Sequence, residues 1–196
     1  MNRSATMPAF RERSQYMQNR ANGFTLIEAL IVMTVTAILL AIAIPAYSHA
    51  SAAAHSGSAR AELAATVVDA VRHSANAGTE VVVCPRTGSG QCSGQAIWDG
   101  GWMAYADING NRVRDSNETV LAQASALKSG VHLRSTTGRT RLIFQPNGGN
   151  AGSNVTFTLC DSRGPDFATT LVLSNAGGLR TGKPTPAAAW NCVYGG

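Results

Sequence analysis

The 196-residue chain lacks the short motifs that mark an enzyme. It has no nucleophile elbow, no HExxH pair and no phosphate-cradling glycine loop followed by Lys-Ser/Thr. No convergent acid–base set replaces them, so an enzyme is not expected. It has no CxxC, and His49, His55, His73 and His132 are scattered, which argues against a bound metal. No internal repeat is present, which excludes a repeat architecture. Charge is sparse, with 14% of residues charged and a net charge of +5, so the placement of each charge is informative.

One long apolar run is present, Phe24 to Ile44, 21 residues. At the helical rise it spans about 32 Å, close to the ~30 Å of bilayer hydrocarbon. Its polar side chains are Glu28, Thr25, Thr34 and Thr36, and the threonine hydroxyls can bond back to the helix. The segment before it carries Arg3, Arg11, Arg13 and Arg20 against the single acid Glu12. By the positive-inside rule that segment stays cytoplasmic and the rest of the chain is exported. Glu28 lies near the mouth of the span, where a carboxylate is costly and usually functional. The bland alternative is a side chain that snorkels to the interface. Pro45 is expected to kink the helix or mark local melting. From Ala46 to Ala77 the chain is Ala-rich, with Leu63, Val67, Ala70, Val71 and Ser74 on one helical face. Gly57 weakens that helix and Gly78 ends it.

Beyond Gly78, short β-branched or aromatic runs alternate with turn residues. Strands are expected at Glu80–Cys84, Trp102–Ala106, Thr119–Ala122, Val131–Arg134, Arg141–Gln145, Asn154–Cys160 and Thr169–Leu173. Their close spacing leaves no room for crossover helices, so the sheets should be antiparallel. The expected fold class is α+β. A helix with a transmembrane half (24–44) and an amphipathic half (45–77) packs on a β-rich domain (78–196). Four cysteines suit an exported domain and permit three pairings. Cys84 and Cys92 flank a natural closed loop. A bridge from Cys160 to Cys192 would pin the C-terminal tail to the sheet.

The run Gly23-Phe24-Thr25-Leu26-Ile27-Glu28 resembles the processing site of type IV pilins and pseudopilins. The resemblance implies cleavage after Gly23 by a prepilin peptidase, methylation of Phe24 and a mature chain of 173 residues. It also implies that Glu28 meets the free amine of Phe24 on a neighbouring subunit during filament assembly. A leader of 23 residues is long for that family; a start at Met17 would give the more typical Met-Gln-Asn-Arg-Ala-Asn-Gly. The remainder resembles the FimT/GspH family of minor pilins and class H pseudopilins. The matching stretches are Val81-Val82-Val83-Cys84-Pro85, Trp98-Asp99-Gly100-Gly101-Trp102, Asp107-Ile108-Asn109-Gly110-Asn111, Ile143-Phe144-Gln145-Pro146-Asn147-Gly148 and Thr156-Phe157-Thr158-Leu159-Cys160-Asp161. A pilin fold, an inner-membrane anchor with a periplasmic domain, no cofactor and filament partners are implied.

From Lys128 onward there are seven basic residues against Asp161 and Asp166, a balance of +5. Five of the seven are Arg, the better phosphate ligand. In FimT-like pilins a Gly-Arg-x-Arg motif after the last long strand is associated with binding DNA during natural transformation. Here that place reads Gly177-Gly178-Leu179-Arg180-Thr181-Gly182-Lys183. Arg180 matches the second Arg, Gly178 replaces the first, and Lys183 is a candidate substitute. A literal Gly138-Arg139-Thr140-Arg141 precedes a strand, with Arg139 and Arg141 expected on one side of it. The expected function is a minor pilin that binds duplex DNA through Arg180, Lys183, Arg139 and Arg141. The alternative is a structural class H pseudopilin of type II secretion. Asp107, Asn109, Asn111, Asp115 and Glu118 have the spacing of a calcium loop. Gly110 comes two places early, and Arg112 and Arg114 add cations. Asx turns closing a hairpin are the preferred reading.

Overall fold

The computed structural model describes residues 23–152 and 154–195. Met1 to Asn22, including both candidate start residues, lie outside the described residues. By its contacts the chain divides between Ala43 and Ile44.

Helix α1 runs from Leu26 to Ala77, 52 residues. Its N-terminal part is long and apolar enough to cross a membrane, and Leu26 to Ile44 are all exposed. Thr34 and Thr36 donate to the carbonyls of Leu30 and Val32, so these hydroxyls are satisfied within the helix. The chain stays helical through Pro45, so the expected local melting does not occur. Proline removes a single N–H, and the turns on either side hold the helix. Ser48 Oγ adds a donor to the Pro45 carbonyl at 2.8 Å.

In the second unit, α1 turns Leu63, Val67, Ala70 and Ser74 into the core, with Val71 partly buried beside them. The helix ends where expected. Gly78 takes φ +68, and its N–H bonds to the Ser74 carbonyl at 3.0 Å. Ser74 Oγ then donates to the carbonyls of Thr79 and Phe144, tying the helix end to the sheet.

Two four-stranded antiparallel sheets follow. The first holds β1 (Glu80–Pro85), β2 (Trp102–Asp107), β3 (Val120–Gln123) and β5 (Leu142–Phe144), in the order β3-β2-β1-β5. The second holds β4 (Val131–Ser135), β6 (Val155–Asp161), β7 (Thr169–Leu173) and β8 (Leu179–Gly182), in the order β4-β6-β7-β8. The inner faces of both sheets and α1 share one core. Trp98, Trp102, Phe144 and Phe157 are fully buried there. Burying each ring contributes roughly 2–3 kcal/mol. Trp98 meets Phe157 edge to face, with centroids 5.0 Å apart. Trp102 Nε1 donates to Thr66 Oγ1 of α1 at 3.1 Å. The outer face of the first sheet is closed over Val82, Met103, Tyr105 and Ile143, with Cys92 and Ala151 against them.

Both disulfides form, Cys84–Cys92 and Cys160–Cys192. The second fixes helix α2 (Pro186–Tyr194) against the outer face of the second sheet, where Cys160, Ala168, Ala189 and Cys192 cluster. Neither α2 nor β8 is among the elements expected from the sequence. The N-terminus of α2 nevertheless carries a plain signal: Thr185 Oγ1 accepts from Ala188 N–H, with Pro186 at the first helical position.

Candidate nucleic-acid interface

The basic zone beyond Lys128 does not form one patch. Arg134 donates to Asp99, whose carboxylate also binds the Leu133 N–H at 2.8 Å and His132 Nδ1 at 2.8 Å. Arg163 is held by Asp161 through Nε at 2.8 Å and Nη2 at 2.7 Å, and Ser56 Oγ of α1 donates to the same carboxylate. Burial alone would push the Asp161 carboxyl up, but the Arg163 and Ser56 hydrogen bonds outweigh it and hold the pKa at about 2.

Arg139 and Arg141 both precede β5, which begins at Leu142, so Arg141 falls outside the strand expected from Arg141 to Gln145. They belong to the side of the first sheet. Arg139 Nη2 reaches the Ala151 carbonyl at 3.5 Å, and its guanidinium packs against Gly152. Arg141 Nη1 donates to the Arg112 carbonyl at 2.7 Å. With Arg112 they line one groove of about 380 Å³. Arg112 is itself paired with Glu80 at 3.3 Å. These guanidinium groups brace turns that lack regular backbone pairing.

Arg180 and Lys183 are different. Both are exposed, and their side chains have no hydrogen-bond or ion-pair partner among the described residues. The β7–β8 turn is closed by Ser174 N–H to the Gly178 carbonyl at 2.9 Å, and Gly177 takes φ +79 inside it. Pairing sets Val172 opposite Arg180 and Thr170 opposite Gly182. Leu171 and Leu173 point into the core, so Thr170, Val172 and Arg180 point outward. The same rows continue across the sheet through Thr158 to Arg134 and through Thr156. The outer face therefore carries a ledge of threonine hydroxyls with a cation at each edge. α2 walls one side of a groove of about 630 Å³ here, lined by Thr156, Thr158, Thr170, Lys183 and Asn191. A polyanion can reach Arg180 and Lys183 without displacing any internal contact.

The Asp107–Glu118 loop is closed by its own side chains. Asp107 accepts from the N–H groups of Gly110 (2.9 Å) and Arg112 (2.8 Å). Glu118 accepts from Ile108 and Asp115, each at 3.0 Å, and Asn111 Oδ1 accepts from Val113 at 2.7 Å. These are the Asx-type closures expected of a hairpin connection. Nearby, burial and then the charge of Asp107 push the Tyr105 hydroxyl up to about 12.

Residues 61–177 match the family described as type II transport protein GspH, and residues 18–44 match the prokaryotic N-terminal methylation motif. Comparison with curated proteins returned no match. Among solved structures, the type IV minor pilin FimU of Pseudomonas aeruginosa is similar, with TM-score 0.51 at 16% identity, over 67% of this chain and 94% of that one. The minor pseudopilin EpsH of Vibrio cholerae aligns with TM-score 0.47 at 13% identity, over 68% of this chain and 97% of that one.

Proposed function

The chain belongs to the GspH family of pilin-like subunits, and from that premise we propose that it is a minor pilin of a type IV pilus that binds duplex DNA. The methylation motif implies processing by prepilin peptidase and assembly with other pilins or pseudopilins. In this reading cleavage follows Gly23, Phe24 is methylated, and Glu28 pairs with the amine of a neighbour's Phe24. The basic leader keeps its end cytoplasmic and the β-rich unit is periplasmic before assembly.

The observation that carries the DNA reading is the exposed, unengaged pair Arg180, on the edge strand β8, and Lys183, just past its end. Contacts of this kind are to phosphates, so binding is independent of sequence and weakens with salt. The test is a gel shift of duplex DNA by the full chain in detergent. Changing Arg180 and Lys183 to Ala should abolish the shift; unchanged binding would reject the site. Loss of transformation in a deletion strain tests the biological role.

A second reading is a class H pseudopilin of a type II secretion system, favoured by the family description matched over residues 61–177. In that case deletion stops protein secretion and leaves DNA uptake intact.

A further inference from the structure

Helix α2 presents an aromatic surface that the core does not use. Ala189 and Cys192 face inward, so Trp190 and Tyr194, one turn apart, face out. Trp190 is 60% exposed and Tyr194 59%, with their ring centroids 4.4 Å apart. The Cys160–Cys192 bridge and the Thr185 cap hold this short helix in place. Beside it lies a groove of about 500 Å³ lined by Pro165, Asp166, Pro184, Pro186, Trp190 and Lys183. Lys183 also lines the threonine groove, so it stands where the two meet. An exposed indole and an unengaged ammonium on one groove, whose single acid is Asp166, match a ligand that is both planar and anionic. Arg180, also exposed, lies in the strand leading to Lys183 and adds a second cation nearby in the chain.

We propose that this groove binds single-stranded DNA, with a base stacked on Trp190 and the adjoining phosphate at Lys183. The inference rests on the DNA reading above and narrows it to the form of the nucleic acid. In a duplex every base is already stacked on its neighbours, so Trp190 adds nothing there. In a single strand each base has a free face, and aromatic stacking stabilises binding whatever the sequence. The two forms therefore share Arg180 and Lys183, but Trp190 discriminates between them.

The experiment uses the full chain in detergent, titrated with an oligo(dT) strand and, separately, with a duplex. Trp98 and Trp102 are fully buried, so quenching of tryptophan fluorescence by oligo(dT) reports on Trp190. Trp190→Ala should weaken oligo(dT) binding about tenfold and leave duplex binding within about twofold. Trp190→Phe, which keeps a ring, should retain most of the affinity. If Trp190→Ala binds oligo(dT) like the parent while Arg180→Ala/Lys183→Ala loses both ligands, the stacking inference fails and the DNA reading stands. A parent that binds neither ligand overturns both. If Trp190 is protected from acrylamide by self-association without DNA, the surface is a subunit contact and the inference is overturned.

Discussion

Asp161 joins α1 to the second sheet, and its charge can be removed with little change of shape. Its side chain is 1% exposed, so solvent screens it little. In the folded chain its pKa is about 2 against an ordinary 3.8. Burial pushes it up, and the hydrogen bonds from Arg163 and Ser56 more than reverse that. A carboxylate with a lowered pKa contributes stability that is fully present above its unfolded value and is lost as pH falls through its folded one. The shift corresponds to about 2 kcal/mol at neutral pH. Asp161→Asn should therefore lower the melting temperature by about 4–8 °C at pH 7 for a chain of this size. The gap should narrow between pH 4 and pH 2, where the parent loses the same charge. Near-ultraviolet circular dichroism of the full chain in detergent, melted at several pH values, reads this directly. Equal melting of the two proteins at pH 7, or a gap that widens on acidification, would refute the reasoning.

Gly178→Arg should raise duplex affinity and steepen its salt dependence by about one unit of log–log slope, measured by gel shift across a salt series. The site admits a side chain, because an added Cβ meets only Ser174 Oγ, at 3.1 Å, and that side chain can turn. Gly101→Ala should cost about 3 kcal/mol or more in thermal unfolding, since Gly101 has φ +87 and a Cβ there would lie 2.4 Å from the Ala124 carbonyl oxygen. Glu28→Ala should be cleaved normally, by mass spectrometry, yet be missing from sheared filaments.

The long helix was legible because its signals agree: a 21-residue apolar run, an amphipathic face and a terminal glycine. β4 and β6 were legible from alternation, with Val131, Leu133, Val155 and Phe157 buried and His132, Arg134 and Thr156 only partly so. β8 was not, because its four residues carry no buried apolar position and it forms only by pairing with β7. α2 escaped notice for a different reason. Its nine residues show little periodicity, and tertiary contacts through Ala189 and Cys192 stabilise it. The fates of the arginines were also hidden. Composition counts Arg134, Arg139, Arg141 and Arg163 like Arg180, but only the folded chain shows which have carboxylate or carbonyl partners.

The position of Gly195 bears on how the protein is handled. Gly195 lines the threonine groove together with Lys183, so a bulky group attached at Gly195 would compete with any ligand there. Gly88 and Ser89 are exposed at the tip of the loop closed by Cys84–Cys92, on a different sheet from the groove. That loop is the place for an affinity handle or a fluorophore.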